Sequence, residues 1–278
     1  MRGAAVQWTV NEVMAVALAR LLRDDEMAFV GVGTGGRAFT LTFGIPVTAA
    51  RLAQCFQAPG LALQLGSLVS PRLDALPSSA TEHSITNIRY ALYWPAAARL
   101  PALDNMDVFT KGGLDVGFAS AAQIDRFGNT NITCIGDPDR PKARLVGCLA
   151  HPELMAFPKR TFLIMDQSPR TFVERVDYRT GVGYLTGGDS RKRAGIPGGG
   201  PEAVITDKAV LDFEPESKAM RIRSRHPGVS LEAIRAATGF RLMEPDFIPE
   251  TVPPTAEELD LIRTRIDPLR VLLGHDPR

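Results

Sequence analysis

Between Met27 and Leu65 the chain sets out a short apolar run, a glycine-rich turn, a helical stretch and a second apolar run, and this spacing narrows the fold more than any other feature. Met27 to Val32 is short and has no polar alternation, so it reads as a strand buried on both faces. Gly33-Thr34-Gly35-Gly36 closes it. A helix is expected over about Pro46 to Phe56, with proline in its first turn, where a missing N–H does no harm. Pro59-Gly60 breaks that helix, and Leu61-Ala62-Leu63-Gln64-Leu65 is the next strand. Two strands joined through a helix at this distance make a parallel βαβ unit, so the fold class is α/β.

The flanking segments fit that class. Thr9-Val10-Asn11-Glu12 is a capping box, followed by Val10, Val13, Met14, Ala17, Leu18, Leu21 and Leu22 at helical spacing. The pattern predicts an amphipathic helix that ends at Arg23-Asp24-Asp25-Glu26. Downstream, Asp107-Val108-Phe109, Val116 to Ile124, Thr130 to Ile135, Leu145 to Ala150 and Thr161 to Met165 are short apolar runs bounded by turn residues, each expected to be a strand. Ala203 to Phe213 and Ala219 to Arg225 alternate enough for half-buried antiparallel strands. Ser230 caps a helix over Leu231 to Thr238, which stops at Gly239. Pro245 to Pro254 is an extended connector, and Thr255-Ala256-Glu257-Glu258 opens a last helix with Leu259, Ile262 and Ile266 on one stripe. With no internal repeat and no long linker, residues 1–278 are expected to form a single domain, with 245–278 as its C-terminal connector and helix.

Composition excludes several functions. Lys and Arg number 32 against 31 Asp and Glu, a net charge of +1. Such a chain has no broad positive field, so neither a nucleic acid nor a membrane surface is expected as partner. No apolar run reaches the ~20 residues of a membrane-spanning helix. Arg2 is not followed by an apolar signal region or an Ala-x-Ala site, so a cytoplasmic location is expected. Cys55, Cys134 and Cys148 lie far apart outside any Cys-x-x-Cys pattern and read as reduced thiols. His83, His151, His226 and His275 form no His-x-x-x-His pair, so no metal is expected. Gly and Pro are in excess, at 25 and 21. Fifteen of the glycines fall in three clusters, at Gly31 to Gly36, Gly112 to Gly117 and Gly181 to Gly200.

Those clusters hold the candidate chemistry. Gly31-Val32-Gly33-Thr34-Gly35-Gly36 follows a strand as a phosphate loop would, but lacks the Gly-Lys-Ser/Thr of a P-loop. Met27 to Leu73 contains no Asp or Glu, so a dinucleotide ribose has no acidic partner there. Gly33, Gly35 and Gly36 still fit close approach of a ligand to backbone N–H groups; they also fit a tight turn packed on the sheet. Gly66-Ser67 follows a strand without a Gly-x-Ser-x-Gly elbow, leaving Ser67 as a turn hydroxyl or a weak candidate. Lys111-Gly112-Gly113-Leu114-Asp115-Val116-Gly117 runs into Gln123-Ile124-Asp125-Arg126-Phe127-Gly128-Asn129. There Gln123 could donate to a developing oxyanion and Asp125 could pair with Arg126, or the segment is a hairpin with a polar rim. Arg191-Lys192-Arg193 adjoins Gly198-Gly199-Gly200, which fits a phosphate-bearing ligand or a solvated loop.

Taken in order, these segments resemble the B subunit of the class I, glutaconate-type CoA-transferase family. The resemblance rests on Gly113-Leu114-Asp115-Val116-Gly117, on Gln123 to Asn129, and on Gly198-Gly199-Gly200-Pro201-Glu202-Ala203-Val204-Ile205-Thr206-Asp207. His226-Pro227-Gly228-Val229-Ser230 followed by Ala236-Ala237-Thr238-Gly239 adds to it. It implies a three-layer open sheet of mixed strands with flanking helices, pairing with a homologous A subunit in a heterodimer or heterotetramer. It also implies an acyl-CoA substrate, with coenzyme A as part of that substrate and no separate cofactor. The residues it places on the ligand are Gly33, Gly35, Gly36, Gln64, Asp125, Arg126, Asn129, Arg193, Gly198, Gly199 and Gly200.

In transferases of this family a B-subunit glutamate attacks the acyl-CoA and becomes a glutamyl-CoA thioester. The corresponding stretch here, Leu61 to Ser67, has Gln64 and no glutamate. This departure resembles a branch of the superfamily whose members hydrolyse carbon rings of CoA thioesters in steroid breakdown, with an acidic residue from the A subunit. The expected function is therefore hydrolytic C–C ring cleavage, with Gln123, Ser67 and glycine N–H groups orienting the substrate. Two alternatives stand beside it: a CoA-transferase using another carboxylate such as Glu82, and a non-catalytic acyl-CoA-binding subunit.

Overall fold

A computed structural model describes residues 7–31, 35–72 and 95–274. The chain divides into two compact units, Met1–Ala102 with Val252–Arg278, and Leu103–Thr251.

In the first unit, helix α1 (Val10–Ala19) has its capping box in place: Glu12 N donates to Thr9 Oγ1, and Thr9 N donates to Glu12 Oε2. The helix is buried around nearly its whole circumference, from Asn11 to Ala19, rather than along one stripe. Its polar first turn can be buried because each polar group has a partner. Asn11 Nδ2 donates to Leu273 O at 2.7 Å, and Glu12 receives both Nε and Nη2 of Arg263. Fully covered Met14 and Leu18 each contribute about 1.5–3 kcal/mol of burial. Strand β1 (Met27–Val30) runs parallel to β2 (Ala62–Leu65), with Phe29 opposite Gln64. The βαβ expectation therefore holds, but its helix begins earlier. Helix α2 (Arg37–Phe39) passes through a π turn (Thr40–Gly44) into α3 (Ile45–Phe56), and α3 packs on α1. Antiparallel β3 (Leu68–Pro71) and β4 (Ala96–Arg99) complete this unit's strand order β1-β2-β3-β4.

The second unit opens with a correction. Asp107 to Phe109 belong to helix α4 (Ala102–Thr110), not to a strand. Three apolar-flanked residues cannot fix a period, whereas Lys111 and Asp107 pair at i,i+4 and Asp104 sits in the first turn, both helix-supporting. Strand β5 (Val116–Ala119) is fully buried, and four two-residue strands follow as two small antiparallel pairs, β6 (Gln123–Ile124) with β7 (Thr130–Asn131) and β8 (Cys134–Ile135) with β9 (Ala143–Arg144). Leu145 to Ala150 is no strand. Gly147 and Leu149 both have positive φ, which breaks extended backbone, and helix α5 (His151–Ala156) starts directly afterwards. Strand β10 (Arg160–Met165) is buried at every position and lies parallel to β5 on one side. After helix α6 (Ser190–Arg193), β11 (Pro201–Thr206) lies parallel on its other side, and β12 (Ala209–Phe213) and β13 (Met220–Arg225) follow antiparallel. Helix α7 (Leu231–Ala236), capped by Ser230, closes the unit.

The segment from Val252 returns to the first unit as helix α8 (Ala256–Leu261), capped by Thr255 and Glu258, and a π turn (Ile262–Ile266). Each unit is thus a mixed α/β layer of sheet and helices. Among the described residues no helix is long and apolar enough to cross a membrane.

Candidate functional site

In the first unit the relevant residues gather at the ends of β1 and β2. Gly66 N donates to Val30 O at 3.2 Å, which sets the turn holding Gly66 and Ser67 against the start of the glycine loop at Gly31. Gly66 has a φ of 54°, the left-handed conformation that glycine adopts without cost. Gln64 is fully buried, and its Nε2 donates to Gly66 O at 3.2 Å. Ser67 is half-buried and its carbonyl accepts from Leu100 N. Gly36, at φ 68°, precedes α2, while Gly35 is exposed beside it. Gly33 and Glu82 lie outside the described residues.

In the second unit, Gln123 to Asn129 folds as a tight hairpin between β6 and β7. Gln123 is buried and fully engaged: Oε1 accepts from Asn131 Nδ2 at 2.8 Å and Asp177 N at 3.0 Å, and Nε2 donates to Asp177 Oδ2 at 3.2 Å. Asp125 Oδ1 accepts from the N–H groups of Phe127 and Asn129, and Asn129 Nδ2 donates to Asp125 Oδ2 at 2.8 Å. Asn129 Oδ1 in turn accepts from Gly183 N and Leu185 N. Burial pushes the Asp125 carboxyl above the usual carboxylate range, partly offset by the donors from Asn129 and Phe127. The structure thus joins Asp125 to Asn129 in one internal brace and Gln123 to Asn131 and Asp177 in another. Arg126 does not pair with Asp125; it faces outward to Glu174 and lines a cavity of about 820 Å³ with Arg235, Phe240, Leu242 and Met243.

The third glycine cluster is fixed by crowding. A Cβ on Gly198 would collide with Ala156 O, and one on Gly199 with Lys159 O. Gly198 N and Gly199 N donate to Ala156 O and Pro158 O. Gly199 nevertheless has an exposed side. Arg193 is exposed and pairs with Asp189. Sequence reasoning missed Arg191, two residues earlier, which is only 5% exposed and donates to backbone on three segments. The Arg-Lys-Arg run marks the place but does not say which guanidinium turns inward. Also missed was the buried contact of Thr130 Oγ1 with His151 Nε2 at 2.7 Å, where desolvation lowers His151 to about 4. Among the described residues, no three His, Cys, Asp or Glu side chains are grouped as metal ligands would be.

The Coenzyme A transferase family model matches residues 11–237. The B subunit of 3-oxoadipate CoA-transferase from Pseudomonas knackmussii is 36% identical over 258 residues, covering 92% of this chain and 92% of that protein. The cholesterol ring-cleaving hydrolase IpdB subunit of Rhodococcus jostii is 27% identical over 232 residues, covering 81% of this chain and 82% of that protein. Among solved structures, glutaconate coenzyme A-transferase from Acidaminococcus fermentans matches with a TM-score of 0.81 at 27% identity, covering 97% of this chain and 98% of that one.

Proposed function

This chain belongs to the coenzyme A transferase family, and on that premise we propose that it is the B subunit of a heteromeric acyl-CoA enzyme that cleaves a ring C–C bond by hydrolysis. The observation that carries the reading is Gln64. It sits fully buried at the end of β2, beside the Gly66-Ser67 turn, and no carboxylate lies anywhere between Met27 and Leu73. An amide there can hold or polarise a carbonyl. It cannot attack a thioester and carry CoA as a glutamyl-CoA would.

In the proposed reaction a partner A subunit supplies the acid–base group and water adds to a ring ketone β to the thioester. The ring C–C bond then breaks, and its electron pair is held as the thioester enolate until it takes a proton. Ser67 and the N–H groups of Gly35 and Gly36 orient the substrate. Gln123, Asp125 and Asn129, whose polar atoms are taken up by neighbouring protein groups, brace the β6–β7 hairpin rather than touch substrate. A CoA-transferase is the second reading, favoured by the 36% identity to a protein named for that activity.

The test is co-expression with a cognate A subunit and assay of 2-oxocyclohexane-1-carbonyl-CoA in ¹⁸O-water. The expected product is pimeloyl-CoA with label in its free carboxylate. Hydroxylamine or borohydride should trap no CoA thioester on this chain. A trapped thioester, or CoA passing to an added free acid, overturns hydrolysis in favour of transfer.

A further inference from the structure

The loop from β9 to α5, Leu145 to Ala150, presents apolar side chains to solvent. Leu149 is 85% exposed and Val146 73%, and Cys148, between them in sequence, is exposed as well. Leu149 also stands at a φ of 38°, a left-handed backbone that a bulky side chain enters only under strain. A single exposed apolar residue is ordinary. Two on one strained loop mark a surface that another molecule covers.

The loop is held at both ends. Leu145 N donates to Thr133 O at 3.0 Å, Gly147 N to Ile132 O at 3.1 Å, and His151 N to Cys148 O at 2.8 Å. The β8–β9 hairpin before it is anchored by the group that engages Gln123: Asp177 Oδ2 accepts from Gly136 N as well as from Gln123 Nε2. Thr180 Oγ1 accepts from Ile132 N at 3.0 Å and lies 2.7 Å from Thr133 Oγ1. Val146 and Leu149 therefore stand in fixed positions, and burying them against a partner loses little conformational freedom. Among the described residues the N–H groups of Cys148, Leu149 and Ala150 have no acceptor, which leaves donors for a second backbone.

Charge narrows the occupant. From Arg140 to Pro152 the sequence has three cations and no carboxylate. Arg140, Lys142 and Arg144 are exposed, and among the described residues none of them forms an ion pair. A second copy of this chain, meeting the loop across a two-fold axis, would set like charges against each other. An apolar socket with an acidic rim fits instead. The other prominent exposed side chain, Phe247, lies on an unstrained stretch among Glu244, Asp246 and Glu250.

We propose that Val146 and Leu149 are the apolar anchors on which the A subunit docks, with Arg140, Lys142 and Arg144 facing an acidic rim on that subunit. The proposal rests on the heteromeric reading above and names its contact surface.

The experiment titrates the purified A subunit into wild-type chain, Leu149→Asn, Val146→Asp, Phe247→Asn and the triple variant Arg140→Glu, Lys142→Glu, Arg144→Glu. Asparagine accepts the left-handed backbone but removes the apolar side chain. Leu149→Asn should therefore melt no lower than wild type, while its Kd for the A subunit rises at least about thirtyfold. Val146→Asp should weaken binding to a similar degree. In the triple variant the association rate should fall at least about tenfold at low salt, a deficit that shrinks as salt is added. A Kd unchanged in both Leu149→Asn and Val146→Asp overturns the proposal. Binding lost in Phe247→Asn but kept in Leu149→Asn also overturns it, as does a wild-type chain that self-associates through Leu149 rather than binding the A subunit. If Leu149→Asn fails to fold, wild-type affinity in Val146→Asp and an unchanged association rate in the triple variant still overturn it. A wild-type chain that binds no A subunit overturns the heteromeric reading itself, whereas binding kept by the variants overturns the docking surface alone.

Discussion

His151 couples stability to pH in a direction that can be worked out. In the folded chain it titrates at about 4 because burial disfavours its charged form, against 6.5 when unfolded. Between those values only the unfolded chain takes up the proton, so stability from this residue is fully present above pH 6.5 and is lost as pH falls toward 4. The loss is about 2–3 kcal/mol at pH 4.5. In His151→Gln, the difference in urea-unfolding free energy between pH 7 and pH 4.5 should shrink by that amount; an unchanged difference would show that other groups set the acid sensitivity. His151 was visible in the sequence only as an isolated histidine. Its partner Thr130 lies 21 residues away, and no local pattern links them. The same holds for the candidate site. Gln123 to Asn129 is legible as a unit, but whether its amides face in or out depends on Asp177, Gly183 and Leu185, some fifty residues on. The absence of a carboxylate around Gln64, by contrast, is a property of the sequence alone.

At the scale of elements, helix α1 is joined to the π turn after α8 by one buried charge pair. Glu12 is 3% exposed, and Arg263 lies across it at 2.7 Å with about a third of its side chain in solvent. Arginine beside it and the Thr9 N–H together hold the Glu12 carboxyl below its usual range against burial. Arg263→Ala leaves that carboxylate buried and unpaired, and should cost about 2–4 kcal/mol in urea unfolding. Adding Glu12→Gln, which removes the charge but keeps an acceptor for Thr9 N, should recover about half. No recovery would mean that Arg263 acts through packing alone. Elements with a cap or a run of four or more apolar residues, such as α1, β1, β10 and α8, are legible from sequence. Asp107 to Phe109 and Leu145 to Ala150 are not: the first is too short to fix a period, and Gly147 interrupts the second. At Leu149 the backbone adopts a positive φ that leucine does not announce. The start of the α2–α3 helix is hidden for a related reason: Pro46 reads as a first-turn residue, but a π turn carries the helix past it.

For the whole molecule, the first unit is discontinuous, built from both ends of the described chain around a second unit that is continuous. A chain ending at Thr251 therefore loses the partners of Asn11, Glu12 and Arg20 in one cut. Hydrogen exchange of that truncated chain should show protection of α1 and α3 falling at least about a hundredfold, with β10, β11 and β12 keeping theirs. Equal loss in both units would show that they unfold as one. The mixed α/β class and its parallel βαβ start follow from apolar spacing, whereas the return of Val252 onward to α1 is a long-range pairing that no local pattern encodes. That pairing also has a consequence in time. Arg263 leaves the ribosome 251 residues after Glu12, which at about 5–20 residues per second is a delay of roughly 12 to 50 seconds. During that delay the intervening unit has all of its own strands and can fold, while α1 holds a carboxylate whose buried setting does not yet exist. Folding of the N-terminal helix is thus clocked by translation of its most distant segment.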